Sequence, residues 1–160
     1  MSSARLTAFQ FRQASGRFAT GVAVLATRAA NGTPHGLTVN SFASLSLDPP
    51  LVVVAVDLAG SLLRVFEHAE HWAVNILREE QRHLSIRFSE LPEGRFDGVE
   101  WTEGLTGAPL LSGALATLEC VRLETRVVGD HLMLIGEAVE ASASEGQPLI
   151  FFGSEYKNLE

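Results

Sequence analysis

A chain of 160 residues, 46% of them apolar, can bury one hydrophobic core, and this composition excludes an intrinsically disordered protein. The formal charge of −7 comes from 19 acidic and 12 scattered basic residues, which argues against nucleic acid as a partner. The longest apolar run, 51–56, is too short to span a bilayer, and the N-terminus lacks the apolar core of a signal peptide. With the single cysteine, Cys120, these features predict a cytoplasmic protein whose residues 1–160 form one domain.

The N-terminal region is predicted to be a helix followed by a β-hairpin. Thr7 and Gln10 have the spacing of a capping box, which predicts a helix that extends to about Phe18. The β-branched run that follows ends at Asn31-Gly32, the strongest short-range hairpin signal in the sequence. We therefore expect a returning strand that reaches the region of Asn40.

The middle of the chain is predicted to alternate strands and short helices. The run 51–56, LVVVAV, is apolar at every position, so we expect a strand covered on both faces. Ser61 can cap a short helix, and HWAVNIL at 71–77 is typical of another strand. A second helix should place Leu84 and Phe88 on one face, because they are four residues apart.

The last third is predicted to be mainly β. After a long loop over 91–107, strands at about 116–128 and 132–141 are joined by Gly129-Asp130, and PLIFF forms a last short strand. The apolar positions change phase inside the first of these strands, which predicts a bulge or a sharp bend. Several hairpin-linked strands with peripheral helices favour an antiparallel barrel over a parallel α/β sheet.

One segment, 36–46, carries hydroxyl and amide side chains in a stretch otherwise suited to a core. These side chains belong to Thr38, Asn40, Ser41, Ser44 and Ser46. Such short donors and acceptors suit the ribityl hydroxyls, phosphate and ring edge of a flavin. On composition alone, the favoured interpretation is a strand pair whose hydroxyls bond neighbouring backbone, because such bonding is common.

A second candidate is the tripeptide Gly129-Asp130-His131. It would place an imidazole at the rim of a barrel, where it can hydrogen-bond a carboxamide or a phosphate. The alternative is an ordinary Gly-Asp turn, with the histidine as the first residue of the next strand.

Other kinds of site find little support. His68 and His71 straddle a predicted helix–strand junction without a cysteine or acid at ligand spacing, so we expect no metal. Cys120 lies in mid-strand and is interpreted as a buried hydrophobic residue. The sequence contains none of the hydrolase, Walker or dinucleotide-fold glycine motifs.

Taken in order, these stretches resemble the short-chain flavin reductase family over nearly the whole chain. FATGVAVLAT resembles the family's first strand, GLTVNSFASLSLDPPLVVVAV its flavin-binding hairpin and HWAVNIL its central strand. RFDGVEW, GAPLLSGALATLEC, GDHLMLIGEAVE and PLIFF then follow in the family's order.

The resemblance implies a fold, an activity and partners. The fold is a mainly β, antiparallel Greek-key split barrel, the FMN-binding split barrel, which works as a homodimer. The activity is hydride transfer from NADH or NADPH to N5 of FMN or FAD, with reduced flavin supplied to a partner flavin-dependent monooxygenase. The alternative is a split-barrel protein that holds flavin without nicotinamide turnover.

The resemblance also implies the site residues. Flavin contacts are expected from Thr38, Val39, Asn40, Ser41, Ser44, Ser46, Ser61, Arg87 and Phe88. Ala59-Gly60-Ser61 departs from the family, which often has two hydroxyl residues separated by one position there, so backbone N–H groups at the helix start are expected to replace one phosphate ligand. Gly129, Asp130 and His131 are expected to bind the nicotinamide, with His131 as the catalytic residue that positions it.

Overall fold

The structure is a computed structural model that describes residues 5–160. Its helices and strands, in chain order, are α1 (Ala8–Ser15), β1 (Thr20–Gly21), β2 (Ala23–Arg28), β3 (Pro34–Val39), β4 (Ala43–Leu47), β5 (Pro50–Asp57), α2 (Leu63–His68), β6 (His71–Ile76), a 3-10 turn (Glu79–Gln81), α3 (Arg82–Glu90), β7 (Trp101–Glu103), β8 (Pro109–Leu111), β9 (Ala116–Val128), β10 (His131–Ala143), β11 (Ile150–Phe152) and β12 (Glu155–Lys157). No helix among the described residues is long and apolar enough to cross a membrane.

Seven strands form one antiparallel sheet in the order β3-β2-β6-β9-β10-β5-β4. The two edge strands, β3 and β4, are joined by residues 40–42 alone. In a flat sheet, six spacings of about 4.8 Å would place these edges about 29 Å apart. The connection from the end of β3 to the start of β4 spans at most about 14 Å. The sheet therefore curls into a barrel that is split between β3 and β4, which confirms the predicted fold class.

Two apolar clusters hold the barrel together, one inside it and one outside β2. The inner cluster is built around Trp72, Phe66 and Val54, all fully buried. The outer cluster joins the opposite face of β2 to α3 and the segments that follow it, with Phe88 and Leu149 at its centre. Because side chains alternate along a strand, β2 contributes to both clusters and is buried on both faces.

Several local predictions are confirmed. The Thr7–Gln10 capping box is present, and Asn31-Gly32 forms the turn between β2 and β3, with Gly32 at a φ of 86°. The phase change in β9 is a β-bulge. Arg122 and Glu124 pair with neighbouring residues of β10, so Leu123 between them has no partner. Leu84 and Phe88 lie on the buried face of α3.

Other local predictions are wrong. Helix α1 ends at Ser15, three residues early, because the amides of Arg17 and Phe18 bond the carbonyl oxygens of Ala14 and Ser15 three residues back, which replaces the α-helical pattern by tight turns. Ser61 does not cap α2, which begins after Leu62 without a side-chain cap. The run 51–56 was expected to be covered on both faces, but this chain covers only one. Strand β5 buries Val52, Val54 and Val56 inside the barrel, and the alternate residues of the run are partly exposed. The segment 91–107 also contains β7, and the C-terminal strand β12 was not predicted.

Gly136 permits the closest packing in the inner cluster. A Cβ atom at this position would lie 2.5 Å from Cζ2 of Trp72 and 3.1 Å from Cβ of Cys120. Both neighbours are fully buried, so neither can move away without disturbing the core.

We therefore expect Gly136→Ala to lower the free energy of unfolding by about 1–3 kcal/mol through overpacking. Denaturant unfolding monitored by tryptophan fluorescence measures the change. Gly21→Ala is the matched control, since its Cβ would have no neighbour within 4 Å, and it should shift stability by less than about 1 kcal/mol. Equal stability of the two variants would show that the space next to Trp72 is not limiting.

Candidate active site

The connection at 40–42 lies where the barrel is split, and Ser41 attaches it to β5. The Ser41 hydroxyl donates to the carbonyl oxygen of Ala55 (2.8 Å) and accepts from the Ala55 amide (3.1 Å). Strand β4 pairs with β5 only as far as Val53, so this hydroxyl supplies both hydrogen bonds that a further strand residue would have made to Ala55. The sequence-predicted ligand is thus engaged with backbone, as the alternative interpretation anticipated.

The two residues before Asn40 also direct their side chains into the protein. The Thr38 hydroxyl donates to the carbonyl oxygen of Ser85 in α3 (2.6 Å), on the outer face of β3. Val39 is 6% exposed and belongs to the inner cluster. These two side chains therefore fix the position of β3 beneath the segment that follows.

Three polar side chains of the predicted segment make no side-chain hydrogen bond to any of residues 5–160. They are Asn40, which is exposed, Ser44, also exposed, and Ser46, which is partly exposed. Asn40 lines a cavity of about 250 Å³ whose other walls are mostly apolar, with Val39, Phe42 and Ile76 among them. An apolar cavity beside the unengaged Asn40 amide suits a planar heteroaromatic ring with polar edges.

The turn Gly129-Asp130-His131 lies at the same end of β5. His131 pairs with Asp57, which is two residues, or about 7 Å, beyond the residue that Ser41 holds. Strand β10 lies on one side of β5, and the 40–42 connection lies on the other. The fold therefore brings together two predicted sites that are separated by about 90 residues in the sequence.

Within this turn, a hydrogen bond fixes the imidazole of His131. Its Nδ1 lies 2.7 Å from Oδ1 of Asp130, and this bond is the main cause of the lowered pKa of the Asp130 carboxyl. An ionised carboxylate only accepts hydrogen bonds, so Nδ1 carries the proton and Nε2 is left for a ligand. Gly129 has a φ of 61°, a conformation that glycine adopts without strain.

The loop between β5 and α2 connects this turn to Ser61. The Leu58 amide donates to the carbonyl oxygen of Asp130 (3.0 Å). The Ala59 and Gly60 amides are bonded within the loop, to the side chain and the carbonyl oxygen of Asp57. These two N–H groups are therefore not free for a phosphate, and the expectation for the amides at the helix start, those of Ser61 and Leu62, stays a prediction. The exposed Ser61 hydroxyl has no partner among the described residues.

Ser61 opens onto a groove of about 480 Å³ formed by residues 33–36, 61–62 and 92–97. Arg95 lines this groove and donates through Nη1 to the carbonyl oxygen of Gly36 (2.9 Å). No carboxylate within the described chain forms an ion pair with it, and burial lowers its pKa. Burial and then the charge of Arg95 lower the pKa of His35. Glu93 and Asp97 also line this groove, so its charge is mixed, and the Arg95 guanidinium is the cation there that suits an anionic group such as a phosphate.

Arg87 and Phe88, both expected near the flavin, pack against the loop 94–97 that forms one wall of this groove. Arg87 donates to the carbonyl oxygens of Gly94, Arg95 and Asp97, which fixes the loop that carries Arg95. Phe88 is fully buried, and its ring packs edge-on against Phe96 at 4.9 Å. A Cβ at Gly36 would meet the Phe88 ring at 2.9 Å, so glycine is required there.

Sequence reasoning missed Arg95 and His35. Neither belongs to a local pattern, since an arginine or histidine in a loop is usually solvated, and only the folded chain shows that they share a groove with Ser61. Within residues 5–160, no three His, Cys, Asp or Glu side chains come together in a group that could hold a metal ion.

Comparisons with known proteins agree with this geometry. Residues 15–160 match the family model of the flavin reductase like domain. The chain is 42% identical to the FMN reductase (NADH) SmoA of Agrobacterium fabrum, covering 91% of this chain and 83% of that protein. It is 35% identical to HsaB of Rhodococcus jostii, the reductase subunit of a flavin-dependent monooxygenase, covering 94% of this chain and 77% of that protein.

Among solved structures, the chain is similar to the NADH:FAD oxidoreductase of Streptomyces globisporus in complex with NAD and FAD fragments. The TM-score is 0.89 at 32% identity, over 95% of this chain and 92% of that one. The match of the family model extends over the barrel, the groove and the Gly-Asp-His turn. The chain therefore belongs to the flavin reductase like family.

Proposed function

We propose that the chain is a flavin reductase of the cytoplasm, built as one domain, that uses NADH to reduce FMN or FAD for a flavin-dependent monooxygenase. One observation carries this proposal: strand β5 holds the 40–42 connection on one side and His131 on the other, at the same end. A flavin site and a nicotinamide site in contact are what direct hydride transfer requires, since the reacting atoms must approach to about 3–3.5 Å.

The unengaged groups at the split fit a flavin. Asn40, next to an apolar cavity, offers a donor and an acceptor for the polar edge of the ring, and Ser44 and Ser46 in β4 offer hydroxyl groups for the ribityl chain. The Ser61 hydroxyl and the Arg95 cation suit the phosphate that FMN and FAD share. A bound flavin would supply the electrophilic N5 atom that accepts the hydride.

His131 would orient the nicotinamide. With its Nδ1 proton bonded to Asp130, the imidazole leaves Nε2 available to hydrogen-bond the carboxamide of the nicotinamide. No proton transfer by this residue is required, because the hydride passes directly between the two ligands. NADH is the proposed donor, because the names of the relatives from Agrobacterium fabrum and Streptomyces globisporus specify it.

A protein that binds flavin without nicotinamide turnover is the second candidate. It would need the barrel, the split and the groove, but it would not need a histidine held in one tautomer beside them. The Asp130–His131 hydrogen bond therefore favours the reductase.

We expect His131→Ala to raise the KM for NADH about two- to tenfold at saturating FMN, through the loss of one hydrogen bond, with an unchanged Kd for FMN. NADH oxidation measured by absorbance gives the KM, and a fluorescence titration gives the Kd. His83→Ala is the matched control, because His83 is exposed on α3 and its side chain bonds only the carbonyl oxygen of Glu80 in the preceding 3-10 turn. A parental KM for NADH in His131→Ala would contradict the assignment, and absence of NADH oxidation by the parent protein would contradict the reductase itself.

We also propose that the chain forms a homodimer, which the exposed apolar side chains support. Leu47 is 94% exposed, Val127 61% and Phe9 69%, and α1 has no buried residue at all. A helix of eight residues is not stable without tertiary packing, so a second copy is a suitable cover.

Light scattering at micromolar concentration should therefore give the mass of two chains. Val127→Glu should shift the protein toward the monomer, because a buried charge without a partner weakens an interface. Leu105→Glu should not, because Leu105 lies alone on the loop between β7 and β8. A monomeric parent protein with full activity would contradict the proposal.

A further inference from the structure

The C-terminal hairpin of β11 and β12 is bonded to α3 through two hydroxyl groups. The phenol of Tyr156, in β12, lies 2.7 Å from the Ser85 hydroxyl. Ser85 is fully buried in the middle of α3. A buried hydroxyl pair of this kind fixes how the helix sits against the hairpin, because an unpaired hydroxyl there is costly.

Ser85 also holds β3. Its carbonyl oxygen accepts the hydrogen bond from the Thr38 hydroxyl, at 2.6 Å. Thr38 is two residues before Asn40, so one residue of α3 joins the C-terminal hairpin to the start of the segment that crosses the split. Neither Ser85 nor Tyr156 was among the site residues expected from the sequence.

The ring of Tyr156 is itself held in place. It packs edge-on against Phe151 at 5.5 Å, and the guanidinium carbon of Arg82 lies 4.9 Å from its centroid. Its hydroxyl is therefore presented to Ser85 by a fixed ring, and removal of the oxygen alone would leave these ring contacts intact.

A second route leads from the same hairpin to the same segment. Strand β11 pairs with β1, where Phe151 is opposite Thr20. Thr20 and Gly21 line the cavity that Asn40 also lines. The hairpin is therefore linked to the segment around Asn40 by two routes, one through β1 and one through α3.

We propose that Tyr156 is a positioning residue for flavin binding, which acts through Ser85 and Thr38 to hold the 38–40 segment in its binding conformation. This inference rests on the proposed function. Without the phenol hydroxyl, α3 and β3 can shift relative to each other, and only a fraction of the molecules would present the segment correctly. The apparent Kd for flavin rises in inverse proportion to that fraction.

The test compares Tyr156→Phe, Ser85→Ala and the double variant. Each single variant should raise the Kd for FMN and the KM for flavin about three- to tenfold, whereas kcat at saturating FMN and NADH stays at the parental value. The double variant should show no further loss, because both substitutions break the same hydrogen bond.

Thr27→Val is the matched control for stability. The Thr27 hydroxyl is buried and donates to the carbonyl oxygen of His71 (2.7 Å), which joins β2 to β6 away from the 38–40 segment. This variant should melt earlier than the parent protein yet bind FMN with the parental Kd. Such a result separates positioning from general destabilisation.

Two results would overturn the inference in a parent protein that reduces flavin. The first is a parental Kd for FMN in Tyr156→Phe and Ser85→Ala. The second is a rise in Kd in Thr27→Val as large as in Tyr156→Phe, which would show that stability alone controls binding. A parent protein that binds FMN but oxidises no NADH would contradict the proposed function instead, and the Kd comparison would still decide the role of Tyr156.

Discussion

The two hydrogen bonds between the Ser41 hydroxyl and the backbone of Ala55 are the constraint on which the site depends. The barrel is split where β3 and β4 fail to pair, and residues 40–42 connect those two edges. A loop at such a position would move freely unless something attached it to the sheet. Ser41 provides the attachment and satisfies both polar groups of a backbone position that β4 does not reach.

Strand β5 is therefore the common support of the two halves of the site. Its Ala55 holds the connection, its Asp57 pairs with His131, and the loop that follows leads to Ser61. The groove beyond Ser61 is fixed separately, since Arg87 holds the backbone that carries Arg95. Each polar group of the site is thus held by a strand, a helix or a hydrogen-bonded loop, while the split between β3 and β4 stays open to ligands. Preorganised binding needs this arrangement.

The sequence predicted those features that depend on local patterns. Asn31-Gly32 specifies a hairpin through backbone conformation, and the change of phase around Leu123 specifies a bulge, because side chains alternate strictly along a strand. It did not show which partner each polar side chain takes. The hydroxyls of Thr38 and Ser41 look equally available in the sequence, yet both bond backbone groups that arrive from distant segments.

The same limit explains why Phe88 and Arg87 were expected at the flavin, whereas Arg95 was not. A helical position shows which residues share a face, but only tertiary packing shows that Phe88 is covered by Phe96 and that the guanidinium of Arg87 donates to three carbonyl oxygens. An arginine in a loop has no distinctive sequence pattern, although here Arg95 lies in one groove with Ser61.

The most direct test of this account is a fluorescence titration of FMN into Ser41→Ala, with Ser15→Ala as the control. Ser15 is exposed, and its hydroxyl bonds only carbonyl oxygens of its own helix. Loss of the two bonds to Ala55 should weaken FMN binding by at least about fivefold, on the scale of 1–3 kcal/mol for a lost hydrogen-bonding partner, while Ser15→Ala binds as the parent does. Parental FMN affinity in a folded Ser41→Ala protein would contradict the claim that this attachment shapes the flavin site.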